Sequence, residues 1–133
     1  MKVMLDTNIL ISAFIFKSSI MKQLMYELSK NHEIFICSYT INELKDLIEN
    51  KFKVNIKALD KFLKDFPFTF VKSPDNPKED LFYIRDKEDY IILYSAIIAN
   101  VDIFITGDKD FKDVNVSKPK ILKPTDFIKK FMS

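Results

Sequence analysis

Four acidic residues lie at positions where a carboxylate could do chemistry, each beside an apolar run or on the border of an apolar helix face. They are Asp6, Glu43, Asp89 and Asp108. Asp6, in the stretch MKVMLDTNIL, is the clearest case, because an ionised carboxylate among apolar neighbours loses hydration unless something compensates it. A helix cap, a buried ion pair or a metal ligand would each compensate that loss. The residue by itself does not choose among them.

Helical spacing places two of these acids beside apolar faces. In the helix predicted over TINELKDLIENKF, Glu43 lies at the border of the apolar face, whereas Asp46 and Glu49 point to solvent. A border glutamate that interacts only with the N-terminus of its own helix is the alternative. Asp89 opens a helix column that continues with apolar residues, and Asp86, three residues earlier, has the spacing of a helix cap. We assign Asp86 mainly to capping and expect Asp89 to face a cleft as well.

Asp108 follows the only glycine of the chain, in the stretch FITGDKDF. Average usage would give about nine glycines in a chain of this length, so the position of Gly107 is informative. A glycine at the end of a strand indicates a positive φ, or a backbone that passes close to a ligand or another segment. A plain solvated turn is the alternative. Asp110 follows two residues after Asp108 as a further acid.

The elements that would position these acids alternate between strand and helix. Such alternation is typical of an α/β fold, here a three-layer α/β/α sandwich with a central parallel sheet, in a single domain over residues 1–133. Ligands of such sheets bind beyond the carboxyl ends of the strands, and Asp6 lies at such an end. The predicted strands are 2–6, 33–37, 68–71, 102–106 and a short edge strand in KILKP; the predicted helices lie in 9–30 with a break near 17–19, after a cap at Ser38, in 55–65, in 89–100 and in the closing stretch TDFIKKF.

Composition bounds the class of protein. The chain has 133 residues, 47% of them hydrophobic, which is enough to bury a core. The net charge of +2 commits to no partner, although every basic residue except Arg85 is a lysine. A single cysteine, Cys37, excludes an internal disulfide and fits a reducing compartment. No window is long and apolar enough for a membrane span, so we expect a cytoplasmic protein without a membrane partner.

The chemistry of the four acids favours a hard divalent cation. Carboxylates that converge at one sheet edge repel each other, so that some must take up a proton or bind a cation. One histidine and one cysteine make a poor start for a zinc site. Oxygen ligands instead favour Mg²⁺ or Mn²⁺, which usually serve phosphate chemistry when a few carboxylates and several waters hold them.

Four stretches of the chain, in order, resemble the PIN-domain nucleases, and within them the toxins of bacterial toxin–antitoxin systems: MLDTNILISAF, TINELKDLI, RDKEDYIILYSA and DIFITGDKDF. The resemblance covers essentially the whole chain. It implies an α/β/α fold and Mg²⁺- or Mn²⁺-dependent cleavage of RNA. Carried over by position, it makes an acidic quartet the metal-binding and catalytic residues: Asp6, Glu43, Asp89 and Asp108.

The resemblance also assigns supporting residues. Asn8 matches the polar residue that supports the first acid, Thr106 matches the hydroxyl before the fourth, and Asp110 is an auxiliary acid in some members. Arg85 and lysines near the cleft are expected to hold the RNA backbone. Lys87 departs from the pattern, since this branch of the family often has proline at that position. The departure concerns the shape of the local loop and not the metal site.

The predicted function is therefore a metal-dependent endoribonuclease, the toxin of a toxin–antitoxin pair, with RNA, an antitoxin and a second copy of the chain as its partners. A PIN-like module that binds RNA or a protein without cutting is the alternative. An aspartyl-phosphate phosphatase is a third reading, because Asp6 ends a strand, but such enzymes usually carry a second aspartate where this chain has Asn8. Four apolar residues could form a partner surface and are better explained as core: Phe14, Ile15, Phe16 and Met21.

Overall fold

The computed structural model describes residues 1–132, and over that range strands and helices alternate as the sequence predicts. The strands are β1 (Lys2–Leu5), β2 (Glu33–Cys37), β3 (Thr69–Val71), β4 (Ile103–Ile105) and β5 (Lys120–Leu122). The α-helices are α1 (Thr7–Ile11), α2 (Ser19–Asn31), α3 (Ser38–Asp46), α4 (Ile56–Lys64), α5 (Lys87–Ile98) and α6 (Pro124–Phe131). Wider π-helical turns continue α1 through Ser12–Phe16 and α3 through Leu47–Lys51, and one 3-10 turn spans Lys109–Phe111.

The five strands form one parallel sheet in the order β3-β2-β1-β4-β5. β1 is the central strand, and its Leu5 lies opposite Ile105 of β4. The chain builds outwards from β1 to β3 and then crosses to β4 and β5 on the other side, so the order reverses between β1 and β4. In sheets of this kind the reversal opens a crevice beyond the carboxyl ends of the two strands, where ligands bind.

The sheet separates two hydrophobic cores. Val3 and Leu5 of β1 lie in the core that α1, α2, α3, α4 and α6 cover, whereas Met4 and Phe104 lie in the core under α5. This alternation follows from the period of two along a strand, which sends successive side chains to opposite faces. Helices on both faces of a parallel sheet confirm the predicted α/β/α sandwich.

The helix starts follow ordinary capping, with one correction. Ser18 Oγ accepts the Met21 N–H at 3.2 Å, and a left-handed Lys17 with a φ of 49° produces the break expected near residues 17–19. The predicted cap at Ser38 is wrong, because α3 begins at Ser38 itself. The Ser38 hydroxyl instead accepts the Ser73 N–H at 2.9 Å, since the loop after β3 passes within its reach.

The apolar stretch after α1 belongs mainly to the core. Phe14 is buried, and Ile15 and Met21 pack against the core beneath α1 and α2, as expected. The expectation is wrong for Phe16, which is 66% exposed and has its ring edge against Phe52 at a centroid distance of 6.4 Å. Phe16 is the last residue of the π-helical turn and directly precedes the left-handed Lys17.

Among residues 1–132, no single helix is long and apolar enough to cross a membrane. Only the pair Thr7–Phe16 and Ser19–Asn31, which is bent by 119°, reaches the required length and composition.

Candidate metal centre

Asp6 follows β1 directly, at the point where the strand order reverses. Its N–H donates to Ile105 O at 3.1 Å, which extends the pairing with β4 by one residue. Asp6 is 4% exposed. Its carboxylate oxygens have separate partners: Oδ1 accepts the Thr7 N–H at 2.8 Å, and Oδ2 accepts the Thr106 hydroxyl at 2.6 Å. The carboxylate is therefore fixed between two neighbouring strand ends.

Thr106 connects the first acid of the site to the fourth. Its buried hydroxyl donates to Asp6 and accepts the Asp108 N–H at 3.0 Å. Asp108 in turn accepts the Asp110 N–H at 2.9 Å through Oδ1, which begins the 3-10 turn after β4. These three hydrogen bonds hold the backbone of the β4 exit in one conformation relative to Asp6.

Of the three explanations for a buried Asp6, the ion pair is excluded and the other two are compatible. The salt bridges among residues 1–132 involve Glu27, Asp102 and Asp110 as the acids, and not Asp6. Asp6 does cap α1, through the hydrogen bond from Thr7. A carboxylate has about four acceptor sites, and the two hydrogen bonds leave others free for a cation.

Three carboxylates lie close together beside Asp6. One carboxylate oxygen each of Asp89, Asp108 and Asp110 lies within 4.8 Å of those of the other two. Asp89 comes from the first turn of α5, whereas Asp108 and Asp110 come from the β4 exit. All three are half-buried. The first turn of α5 and the segment that follows the next strand, β4, therefore place three hard oxygen donors close together.

Glu43 reaches the same region from α3. It is half-buried, while Leu44 and Ile48 on the same helix are fully buried and Asp46 and Glu49 are exposed, as helical spacing predicts. Burial raises the pKa of the Asp6 carboxyl, the hydrogen bonds from Thr106 and Thr7 lower it, and repulsion from Glu43 and Asp108 raises it, so that the net pKa is about 6. Glu43 and Asp108 are thus the acids whose charges disfavour ionisation of Asp6.

Asp89 is affected both by burial and by the neighbouring acids. Burial, and after it the charges of Asp108, Asp86, Asp6 and Asp110, together raise the pKa of its carboxyl to about 7. Desolvation therefore disfavours ionisation of Asp89, and the four neighbouring acids add to that effect. Such mutual repulsion is relieved either by a proton or by a cation.

The donor chemistry fits a hard divalent cation. Several carboxylate oxygens converge, and the neighbouring hydroxyl of Thr106 is also an oxygen group. The chain's one cysteine, Cys37, is buried and contacts Thr40 instead of these acids. Oxygen-only donors of this kind suit Mg²⁺ or Mn²⁺.

The other predicted site residues occupy less central positions. Asn8 is exposed, and the side-chain hydrogen bond to the first acid comes from Thr106. Asp86 is exposed and caps α5 by accepting the Glu88 N–H at 2.8 Å. Arg85 is 81% exposed in its side chain and forms an ion pair of 3.3 Å with Asp110. Arg85 thus contacts the acidic cluster directly.

Gly107 lies between Thr106 and Asp108, and the expectation of a positive φ there is wrong. A Cβ built at Gly107 would have no atom of another segment within 4 Å. The fold therefore needs no glycine here, because neither backbone strain nor close packing requires one. Passage of a ligand and a plain turn are the explanations that remain.

Two features of the site were missed or undervalued by sequence reasoning. Thr7 is 3% exposed, and its Oγ1 is a buried polar atom without a hydrogen-bond partner in the described residues. Its position next to Asp6 was the only available signal. Asp110 lies within the close carboxylate cluster, although sequence reasoning treated it as auxiliary.

The structure is an α/β/α sandwich in which acidic side chains converge where the strand order reverses, and comparisons with known proteins define the family. The model of the PIN domain matches residues 2–110. The chain therefore belongs to the PIN-domain family, which confirms the resemblance read from its motifs.

A solved structure has the same fold. A chain in the crystal structure of VapBC2 from Rickettsia felis, bound to a DNA fragment from its promoter, is similar with a TM-score of 0.70 and 24% sequence identity. The match covers 92% of this chain and 97% of that chain. No curated protein matches significantly. At this level of identity the structural likeness establishes the fold.

Proposed function

We propose that this protein is a Mg²⁺- or Mn²⁺-dependent endoribonuclease and the toxin of a toxin–antitoxin pair. The observation that carries the proposal is the arrangement around Asp6. Glu43 and Asp108 repel it, Asp89 and Asp110 lie beside Asp108, and the group sits beyond the carboxyl ends of β1 and β4. Membership of the PIN-domain family supports a nuclease.

The proposed ligands of the cation are the acidic quartet with Asp110 beside it. When bound, a divalent cation supplies charge to the attacked phosphate and lowers the pKa of a water molecule. Asp6, Glu43, Asp89 and Asp108 would hold it, each through a carboxylate oxygen. The chain's own contribution is then the placement of these oxygens before substrate arrives.

Thr106 has a positioning role in this proposal. Its hydroxyl favours the ionised form of Asp6, because a hydrogen bond donated to a carboxylate stabilises the charged state. It also fixes the backbone of Asp108 through the same oxygen atom. One residue therefore aligns two of the four proposed ligands.

RNA is the proposed substrate, and Arg85 is proposed to contact its backbone. Arg85 is exposed and lies 3.3 Å from Asp110, so its guanidinium is placed where a phosphate near the acids would be within reach. A guanidinium can bind phosphate through two parallel hydrogen bonds. Because the Arg85 side chain is exposed, a phosphate of the substrate can approach its guanidinium.

The proposed protein partner is a cognate antitoxin. The similar chain from Rickettsia felis is described as part of VapBC2 bound to promoter DNA, and its match extends over nearly its whole length. We extend the toxin–antitoxin arrangement to this chain on that likeness, and we propose a cytoplasmic homodimer built from one domain over residues 1–133. Size measurement of the protein alone and with a co-expressed antitoxin tests these assemblies.

The test of the enzymatic proposal is cleavage of total cellular RNA and of defined single-stranded and hairpin oligonucleotides with Mn²⁺ or Mg²⁺. Cleavage should stop with chelator and should be absent from Asp6→Asn protein purified in parallel, which excludes a contaminating ribonuclease. Glu49→Gln is the control and should cut normally. An RNA-binding protein that cuts none of these RNAs would be an inert module, and turnover of phosphate monoesters through a phosphorylated Asp6 would identify a phosphatase.

A further inference from the structure

A cavity of about 810 Å³ adjoins the candidate metal centre on the side of β5. Thr106 and Asp108 are among its lining residues, so the cavity borders the centre. Val114, Val116 and Ile121 provide an apolar wall, and all three pack against the core under α5. We refer to this cavity as the β5 groove.

The polar rim of the β5 groove is mainly basic. The acids that line it are Asp108 and Asp126. Four exposed lysines also line it: Lys109, Lys112, Lys120 and Lys123. Lys123 also precedes α6, which begins at Pro124 without a side-chain cap. The unpaired N–H groups of a helix start carry partial positive charge, which adds to the potential of the lysines.

The surface formed by the loop before α5 has a different character. A second cavity, of about 760 Å³, lies against the loop before α5 and is lined by three acids together with Arg85 and Lys87. Those acids are Asp75, Glu79 and Asp80. The charged residues that line the β5 groove sum to +2 and those that line the second cavity sum to −1, so a polyanion at the metal centre is attracted more strongly towards the groove.

We propose that the β5 groove binds the single-stranded RNA that continues from the cleaved phosphodiester, with its phosphates on Lys109, Lys112 and Lys123. This inference rests on the proposed nuclease function and specifies the path of the substrate. An RNA chain bound at the centre extends beyond the cleaved phosphate, and the β5 groove is the adjoining surface that is lined mainly by lysines. Its apolar wall can contact base faces, which are accessible in a single strand and stacked away in a duplex.

Gly107 supports this path independently of the charges. The backbone between Thr106 and Asp108 forms the border between the centre and the groove, and glycine stands there without any need from the fold. A strand of RNA that passes over this border occupies the space that a side chain at position 107 would fill, which accounts for the glycine. We therefore expect Gly107→Val to weaken RNA binding while the protein remains folded.

The experiment compares two triple variants with the same loss of charge. Lys109→Ala, Lys112→Ala and Lys123→Ala remove the groove lysines, and the matched control replaces three exposed lysines of α4, on the other face of the sheet: Lys57, Lys61 and Lys64. KM and kcat for a single-stranded oligoribonucleotide are measured with Mn²⁺ over a range of salt. Circular dichroism melting establishes that both variants fold.

The expected result is a rise of roughly tenfold or more in KM for the groove variant, with a much smaller change in kcat. Its salt dependence should fall by about 2 in logarithmic slope, since each lost contact to a single strand removes about 0.7. Lys112→Ala alone should remove about one third of that change, and the α4 control should stay within about twofold of wild type.

Equal KM values for the groove variant and the α4 control would overturn the inference and leave the nuclease proposal standing, provided that wild type cuts RNA. A wild-type protein that neither cuts nor binds RNA would overturn both. If the groove variant keeps its KM but loses binding of a poly-glutamate peptide, the groove belongs to a protein partner and the RNA path is wrong.

Discussion

Thr106 and Asp6, one hundred residues apart in sequence, are joined by a hydrogen bond of 2.6 Å between the threonine hydroxyl and Oδ2 of the carboxylate. The parallel register of β1 and β4 places them side by side, because Leu5 lies opposite Ile105 and each of these residues is the last of its strand. The same threonine oxygen accepts the Asp108 N–H. The sheet register thus sets the geometry of two acids of the site.

Thr106→Val should destabilise the protein at neutral pH. The substitution keeps the shape of the side chain but leaves the buried Asp6 carboxylate with one hydrogen bond fewer, which costs on the order of 1–3 kcal/mol. Urea unfolding at pH 7.5 measures the change. Thr69→Val, at an exposed strand position, is the control and should change the free energy of unfolding little. Equal stabilities of the two variants would show that the Thr106 hydroxyl does not support Asp6.

The metal-free protein should lose stability as pH rises from about 4 to 8. Asp6 and Asp89 have pKa values of about 6 and about 7 in the folded protein, both above the ordinary value of 3.8. The folded state therefore binds these protons more tightly than the unfolded state does, and this stabilisation is complete below pH 4 and is lost as pH rises through the folded pKa. For the buried Asp6 the loss is roughly 3 kcal/mol.

Asp6→Asn provides the control for this pH dependence. The variant lacks the titrating group, so its free energy of unfolding should fall less between pH 4 and 8 than that of wild type. We expect it to be more stable than wild type at pH 8 in chelator, although it loses part of the cap on α1. Parallel stability curves for both proteins would contradict the burial and repulsion assigned to Asp6.

Millimolar Mn²⁺ or Mg²⁺ should raise the melting temperature at pH 7.5, because a cation that binds the folded state alone stabilises it. Asp89→Asn, Asp108→Asn and Asp110→Asn should each reduce that rise, since all three acids contribute to one cluster. Differential scanning fluorimetry measures the effect. Asp113→Asn is the matched control, because Asp113 is an exposed acid three residues beyond Asp110. A full metal response in Asp110→Asn would restrict the site to the acids of the predicted quartet.

Gly107→Ala should leave the free energy of unfolding unchanged or raise it. The native φ is accessible to alanine and its Cβ meets no neighbouring atom, and such substitutions usually stabilise by about 0.4–1 kcal/mol through the unfolded state. Urea unfolding measures it. A loss of more than about 1 kcal/mol would mean that the turn does require glycine.

Much of the fold could be read from the sequence because hydrophobic periodicity reports strands and helices directly. The segments around Asp6 and Asp89 were placed correctly for that reason. The strand order could not be read, since nothing local in β1 specifies that β4 and not β3 lies beside it. The hydrogen bond from Thr106 to Asp6 depends on that pairing. The motif indicated only that Thr106 precedes the fourth acid, and it did not indicate that the hydroxyl binds Asp6.

The parts of the site that were misjudged depend on short irregular segments. Asp110 enters the carboxylate cluster because the 3-10 turn over Lys109–Phe111 brings it back towards Asp89, and such a turn has no clear period in sequence. The β5 groove is built by the connection between that turn and β5, whose lysines look like ordinary surface residues in the sequence. Gly107 was misread because rarity of a residue type says nothing about its φ.

The most direct test of the proposed metal centre is a crystal structure of the protein soaked in Mn²⁺, with anomalous diffraction used to locate the ion. We expect an anomalous peak between the carboxylates of Asp89 and Asp108, with Asp6 and Glu43 directed at the same ion or at its waters, and no peak there in crystals of Asp108→Asn. The proposed metal centre would be contradicted if crystals in saturating Mn²⁺ had no peak at this position, or had peaks only at exposed acids such as Asp113.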